Sequence, residues 1–420
     1  MPALRVSNRM PREPRCVSGW VDASKGADAV PGSGTPRRLC AAGASPRRNL
    51  KGRAASAARL CRSGLSHWSP VRRALAPWPA AESAPSRPRG ILLETLRLIW
   101  VAAAILVALQ VVLGQGLRAA DKPAGLPEGD GIAAKYPGDK GIEKDPAVVF
   151  ADGFEEIEGD VMAPVGKDQK GNRWDTCANT VTIVTDPDKV HTGRKAAQVT
   201  FEKVGSHNAV KQFKPGFDTL YLRYYMKYHP QFPGCHHTGM LILAGAPGIT
   251  LASGSATGVI PDGRNHFEAL VDTTPPRRSS TTPPPGNMNI YCYHMDQARI
   301  WGDLFFPTGD VTPEDNKWLF AENFTPRPNL NVERGRWYCY ELMLKANTPG
   351  KRDGRVAFWV DGKLGGDFPN LRFRSVEELK PNHVIIVAHS SNVRPNQTWW
   401  YDDIVAATSY IGPQARVRGK

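Results

Sequence analysis

The chain runs to 420 residues, long enough for two or three domains, and carries a formal net charge of +14. That charge is unevenly placed: residues 1–120 hold 19 Lys and Arg against 5 Asp and Glu, which leaves 35 of each kind in residues 121–420. The part able to fold is formally neutral, so the basic whole-chain pI points to no nucleic-acid partner.

In chain order, residues 1–90 are rich in Arg, Ala, Ser, Pro and Gly and show little apolar periodicity, so they cannot bury enough surface to offset chain entropy. They read as a disordered basic leader, or as an over-long gene call with translation starting further on. Within 91–120, the run LIWVAAAILVALQVVL at 98–113 is apolar except for Gln110 and follows Arg97. Its length of about 16 residues falls short of the ~20 that span a bilayer, and small residues follow it, as in a secretory signal peptide. Arg118 lies three positions before the Ala120 junction and makes an imperfect cleavage site, so an uncleaved membrane anchor is the alternative. Either way the globular part is expected to be exported: secreted, periplasmic or held at the cell surface.

Residues 121–146 are Gly-, Pro- and charge-rich and read as a linker. From 147 to 413 the pattern is one of short alternating segments between turns, at 148–154, 180–184, 196–202, 220–228, 240–243, 266–271, 288–293, 337–345, 356–360, 383–388 and 399–406. Helical periodicity is confined to a turn near 375–379. Such spacing predicts one all-β sandwich of two antiparallel sheets.

The clearest segment is RWYCYELMLKANTPGKRDGRVAFWVDGK at 336–363. Tyr338, Tyr340, Leu342 and Leu344 share one face, while Trp337, Glu341 and Lys345 share the other, a period of two. Gly350 and Gly354 supply positive φ in the turn that follows, Val356, Phe358 and Val360 resume the alternation, and Asp361-Gly362 forms a tight hairpin.

The chain has seven cysteines. Cys16, Cys40 and Cys61 lie in the leader, whereas Cys177, Cys235, Cys292 and Cys339 lie in the folded part, where they allow three disulfide pairings or stand as buried free thiols. None has the spacing of a zinc ligand pair. Asn323-Phe-Thr and Asn396-Gln-Thr fit the glycosylation sequon.

Nine of the ten histidines follow residue 120, and tyrosines crowd the same strands. Arg223, Tyr225 and Lys227 project to one face of their strand, and Tyr291 and Tyr293 share a face of theirs. Polar groups on one side of a sheet whose other side is apolar mark a wetted face, and aromatics beside cations suit sugar stacking and carboxylate contacts. The 273–286 segment, TTPPRRSSTTPPPG, contains five prolines and cannot pair in a sheet. It reads as a solvated insertion or as a lid that carries Arg277 and Arg278 over an anionic ligand.

The segments 220–227 and His236-His-Thr-Gly-Met-Leu241, the Tyr291-Cys-Tyr293 strand, the Asn347-Thr-Pro-Gly to Trp359-Val-Asp-Gly362 run and the closing Trp400-Tyr-Asp-Asp-Ile-Val405 together resemble the concanavalin A-like jelly-roll polysaccharide lyases of the alginate and glucuronan type, family fourteen. The resemblance covers 148–413. It implies a concanavalin A-like jelly-roll β-sandwich and cleavage of a uronate polymer by β-elimination, with Tyr291 and Tyr293 as the base and acid pair. Where the family has a lysine, this chain has Cys235-His236-His237, and where the family has Ser-x-Arg it has His266-Phe-Glu268. The resemblance therefore puts His237 and His266 beside the tyrosines as catalytic groups, with His236 and Glu268 in substrate binding; the strand face adds Arg223, Tyr225 and Lys227 as substrate-binding candidates, and the 273–286 loop adds Arg277 and Arg278. An ionised Glu268 would repel a uronate, so either the substrate differs or this copy is no lyase.

No cofactor is required by this chemistry. Because jelly rolls pair their termini, Asp152 and Glu155 near the first strand and Asp402 and Asp403 in the last are candidates for a structural Ca²⁺, against the plainer reading of turn-capping carboxylates. The expected partner is an extracellular, acidic polysaccharide, with no nucleic acid and a membrane only through 98–113 if that segment stays uncleaved. A lectin-like binding protein using the same face is the alternative function, and an anchored surface adhesion protein is a third.

Overall fold

The structure is a computed structural model that describes residues 125–163, 168–177, 181–249, 257–274, 281–313 and 317–416. The predicted leader, the 98–113 run, and Arg277 and Arg278 lie outside the described residues. The described residues all fall within one compact unit of the chain, the one that holds Lys122–Lys420.

Among the described residues the strands are β1 (Val148–Asp152), β2 (Thr176–Cys177), β3 (Val181–Val184), β4 (Ala196–Thr200), β5 (Gly205–Gln212), β6 (Thr219–Tyr228), β7 (Met240–Gly245), β8 (His266–Thr274), β9 (Asn287–Tyr293), β10 (Asp303–Phe305), β11 (Val311–Thr312), β12 (Trp337–Lys345), β13 (Gly354–Val360), β14 (Lys363–Leu371), β15 (His383–Ser390) and β16 (Thr398–Ala407). They build two antiparallel sheets. The first runs β14-β13-β12-β6-β16-β4-β3 with β1 added beside β16, and the second runs β11-β10-β9-β8-β7-β15-β5-β2. This is the jelly-roll sandwich expected from the sequence.

Strand alternation makes the sandwich. Leu220, Leu222, Tyr224 and Met226 of β6 and Tyr338, Tyr340, Leu342 and Leu344 of β12 point into the same core as Met240, Ile242 and Ala244 of β7, Phe267, Ala269 and Val271 of β8, and Met288, Ile290 and Cys292 of β9. Removing that apolar surface from water is the main force that holds the two sheets together. The Asp361-Gly362 hairpin forms as read, with φ of 49° and 75° at its two central residues, the left-handed pair that a twisted two-residue hairpin requires. Of the two glycines in the preceding turn, Gly350 has positive φ, but Gly354 lies extended in β13 and pairs with Leu371.

Several elements differ from the sequence reading. β5 and β14 have polar or Gly- and Pro-interrupted sequences, GSHNAVKQ and KLGGDFPNL, and exist because each has a full-length neighbour, β15 and β13 respectively. The 375–379 stretch, the one place read as helical, forms a bend and turn without helix. The described part of the predicted linker packs closely: Ile132, Ala133 and Ile142 bury against Val405, Ala407 and Ile411 on the outer face of the first sheet. There Ala133 N–H donates to the Ile411 carbonyl at 2.9 Å, which ties the entry of the domain to its exit. Cys177, Cys235, Cys292 and Cys339 are all buried free thiols.

Candidate functional site

The outer face of the second sheet is assembled from residues that alternate with the core. Register places Tyr291, Leu270, Leu241, Ile385 and Val210 in one row across β9, β8, β7, β15 and β5. The adjacent row holds Tyr293, Glu268, Leu243 and His383. Leu241, Leu243, Leu270, Ile385, Val387 and Val210 form a small apolar cluster of their own, against which Tyr291 packs. Aromatic and imidazole side chains stand along its margins.

On one side, the loop before β7 carries His236, His237 and Thr238. Gly239 lets this loop lie against β8, because a Cβ there would sit 1.9 Å from the Val271 carbonyl oxygen. The loop is also pinned from beneath. Tyr401 of β16 donates its hydroxyl to the Thr238 carbonyl, and Tyr228 bonds Thr238 Oγ1 at 2.6 Å. His237 has φ of 59°, unusual for a residue with a side chain. Asp272 of β8 holds it there: both carboxylate oxygens accept the His237 N–H at 2.9 Å, Oδ1 accepts the Thr238 N–H at 3.3 Å, and Oδ2 lies 3.0 Å from His237 Nδ1. Burial pushes the Asp272 carboxyl up, but the His237 hydrogen bonds and charge outweigh this and hold it below its ordinary value. An ionised Asp272 accepts, so Nδ1 carries the proton and Nε2 is left with a lone pair.

The His237 ring lies 4.6 Å from the Tyr291 ring between centroids, and His236 and His389 lie 4.6 Å and 6.3 Å from His237. Tyr291 donates to Tyr293 at 3.4 Å and accepts the Gly302 N–H at 3.1 Å, while Tyr293 accepts the Gly258 N–H at 3.3 Å. Burial drives both phenols upward, Tyr293 to about 12 and Tyr291 well above its ordinary value. They are therefore neutral proton donors at physiological pH. The resemblance implies one phenol as the base; burial instead raises both, and the His237 imidazole lies against Tyr291.

At the other margin, His266 lies beside Tyr293, with ring centroids 5.6 Å apart, and Glu268 pairs directly across from it. Burial pushes the Glu268 carboxyl up to about 8 and the His266 imidazole down to about 4, so each is uncharged at neutral pH. The repulsion of a uronate expected from an ionised Glu268 accordingly falls away.

Arg223, Tyr225 and Lys227 do not join this site. They lie in β6, in the other sheet, and face outward on the opposite side of the sandwich, since Leu222, Tyr224 and Met226 occupy the core side. Arg223 is fully buried beneath the entry and exit segments and pairs with Asp139. Tyr225 stacks on His191 at 3.7 Å and accepts the Gln414 N–H, and Lys227 Nζ donates to the Asp188 carbonyl at 2.6 Å. Strand alternation assigns a face within one strand; it does not say to which sheet the strand belongs.

The four carboxylates considered for calcium do gather at the β1–β16 end of that opposite face, where Asp152, Glu155 and Asp403 line a cavity of about 640 Å³. Their oxygens are already engaged. Asp152 accepts from the Phe154 amide and Trp174 Nε1, Asp402 from the His191 and Thr192 amides, Asp403 from Thr192 Oγ1, and Glu155 from the Arg194 and Lys195 amides. Burial, with Asp403 alongside, also raises the Asp402 pKa and disfavours its charged form. No cluster of three or more His, Cys, Asp or Glu side chains suited to a metal ion occurs among the described residues. The donor set fits turn-capping carboxylates better than a Ca²⁺ cage.

Asp272, His389 and the amides of Gly258 and Gly302 are site groups that sequence reasoning did not single out. Asp272 was within reach, because 266, 268, 270 and 272 share one face of an alternating strand.

The paired sheets define the class, a two-sheet jelly-roll sandwich whose second sheet carries an apolar outer patch rimmed by aromatic and imidazole groups. No protein-family model matches the chain, and no curated protein matches it. Solved structures similar to it include alginate lyase Aly36B, at 14% identity and TM-score 0.38 over 70% of this chain and 96% of that one. Others are an endo-beta-1,4-glucuronan lyase from the fungus Trichoderma reesei (15%, TM-score 0.36, 57% and 92%) and a PL-14 alginate lyase from Aplysia kurodai (12%, TM-score 0.36, 55% and 87%).

Proposed function

We propose that the protein is a polysaccharide lyase that cleaves an acidic, uronate-containing polymer by β-elimination on the outer face of the second sheet. The observation that carries this reading is the Asp272–His237 pair set against two neutral phenols. His237 Nε2 takes the proton at C5 of the uronate, the released electron pair forms the C4=C5 double bond, and the C4–O bond breaks. The Tyr291 hydroxyl protonates the departing oxygen, with Tyr293 hydrogen-bonded behind it. The proton on His237 then returns to the tyrosinate through solvent, which restores both groups. Asp272 touches no reacting atom; it fixes the imidazole tautomer and stabilises the imidazolium that forms, as a buried carboxylate does behind any histidine base. Arg277 and Arg278 add salt-sensitive attraction for the polyanion, and export through the 98–113 segment brings the domain to its substrate.

The test is to mix the protein with alginate, glucuronan and uncharged polysaccharides and follow the ultraviolet band of the unsaturated uronate. Growth of the band with a uronate polymer is the expected result. Retention of the polymer with no band would establish the lectin-like alternative in its place.

A further inference from the structure

We propose that Glu268 and His266 form the subsite for the uronate carboxylate, Glu268 donating its carboxyl O–H and His266 a ring N–H to the substrate oxygens. This rests on the lyase reading above and supplies the group that reading lacks, one that draws charge from the carboxylate so that the C5 proton becomes acidic.

The geometry points there. Glu268 and His266 are two residues apart on β8 and so share the outer face with Tyr291 and Tyr293. Both are buried, at 3% and 0% exposure, yet Glu268 Oε2 and both ring nitrogens of His266 have no hydrogen-bond partner among the described residues. Buried polar groups are almost always paired, so each exception calls for an explanation, and a ligand that completes it is one. The groups facing Glu268 are Tyr293 across β9, Leu243 across β7 with His383 beyond it on β15, and His266 on its own strand, beside which Asp262 lies. None is a fixed cation, and burial holds His383 down at about 4.

An ionised Glu268 would therefore stand alone in the interior, and burial keeps it protonated to about pH 8. A protonated carboxyl is a donor, whereas a carboxylate only accepts. An O–H to O⁻ hydrogen bond of this kind is short and strong, and it stabilises the charge on a carboxylate without a cation. Glu268 keeps its proton throughout the reaction. A glutamate at this place thus does the work of a positive charge, provided that it stays uncharged.

The experiment is isothermal calorimetry on the whole protein with an alginate trisaccharide and with the same trisaccharide carboxyl-reduced. Wild-type affinity for the acidic sugar should fall about tenfold from pH 7 to pH 9, following the protonated fraction of a group with pKa near 8, while Glu268→Gln stays flat because its amide donates at any pH. Titrations at pH 9 in two buffers of different ionisation enthalpy should show wild type taking up about 0.9 proton per sugar bound, a readout that needs no variant. A pH slope shared by wild type and Glu268→Gln, no proton uptake, or no binding of the acidic sugar at pH 6 overturns the proposal. Equal behaviour of the carboxyl-reduced sugar also overturns it and assigns the pair to sugar hydroxyls. The two readings separate cleanly: the binding pattern without band growth keeps the subsite and removes the lyase, and band growth without the pattern does the reverse.

Discussion

Replacing Asp272 by alanine should destabilise the domain as well as disable the site, and the size of the effect follows from its contacts. Its carboxylate accepts the amides of His237, Thr238 and Thr273, the last at 2.8 Å, and lies 3.0 Å from His237 Nδ1. Alanine leaves three amide donors without acceptors, each costing about 1–3 kcal/mol where water cannot reach. Because His237 is partly exposed, some of that is recovered by solvent, and the net should be about 3–5 kcal/mol, like the loss of one partner from a buried ion pair. For a domain of this size that lowers the melting temperature by roughly 6–20 °C. The His237 backbone, released from φ of 59°, should then relax out of the left-handed region. Asp272→Asn keeps an acceptor oxygen, so it should retain most of the stability while losing turnover. The sign with pH is also set. A folded carboxyl pKa below the ordinary 3.8 contributes stability that is present above that value and lost as pH falls through the folded pKa, so the gap between wild type and Asp272→Ala should close in acid. Thermal unfolding followed by tryptophan fluorescence reads this directly. An alanine variant melting within about 2 °C of wild type at pH 7 would refute the clamp.

Tyr291→Phe should abolish elimination with the far-ultraviolet dichroism unchanged, and Tyr293→Phe should slow it about tenfold or more through its hydrogen bond to Tyr291; full turnover in Tyr291→Phe would remove it as the acid. Lys227→Ala should leave turnover unaltered within twofold, since Lys227 faces away from the site, and a large loss would place substrate on the first sheet after all. Cys177, Cys235, Cys292 and Cys339 are buried thiols whose pKa values burial pushes up, Cys177 to about 11 and Cys235 to about 12. Peptide mapping should show them spared by iodoacetamide in the native protein and alkylated after unfolding. Removing residues 275–284 and bridging with glycines should weaken binding of a polyanion at low salt and hardly at all at high salt, where the contribution of two cations is screened over about 10 Å or less; equal affinities at both salt levels would make the segment a bystander.

The sequence alone determined the all-β class, most of the long strands and the inward or outward sense of each side chain. Those properties are local: alternation at 337–345 and the Asp361-Gly362 turn need nothing beyond backbone geometry. It also marked His237, His266, Glu268, Tyr291 and Tyr293 as residues worth placing. Tertiary structure decided the rest. Strands such as β5 and β14 have weak patterns and are held by their neighbours, so only sheet formation reveals them. Which sheet β6 enters removed Arg223, Tyr225 and Lys227 from the site, a long-range pairing that no period-two pattern encodes. Charge state was decided there too, because a glutamate and an imidazole reveal their ionisation only through the depth at which the fold buries them. Asp272 became the partner of His237 across 35 residues because Gly239 lets a loop press against β8, a contact that packing creates and sequence order conceals.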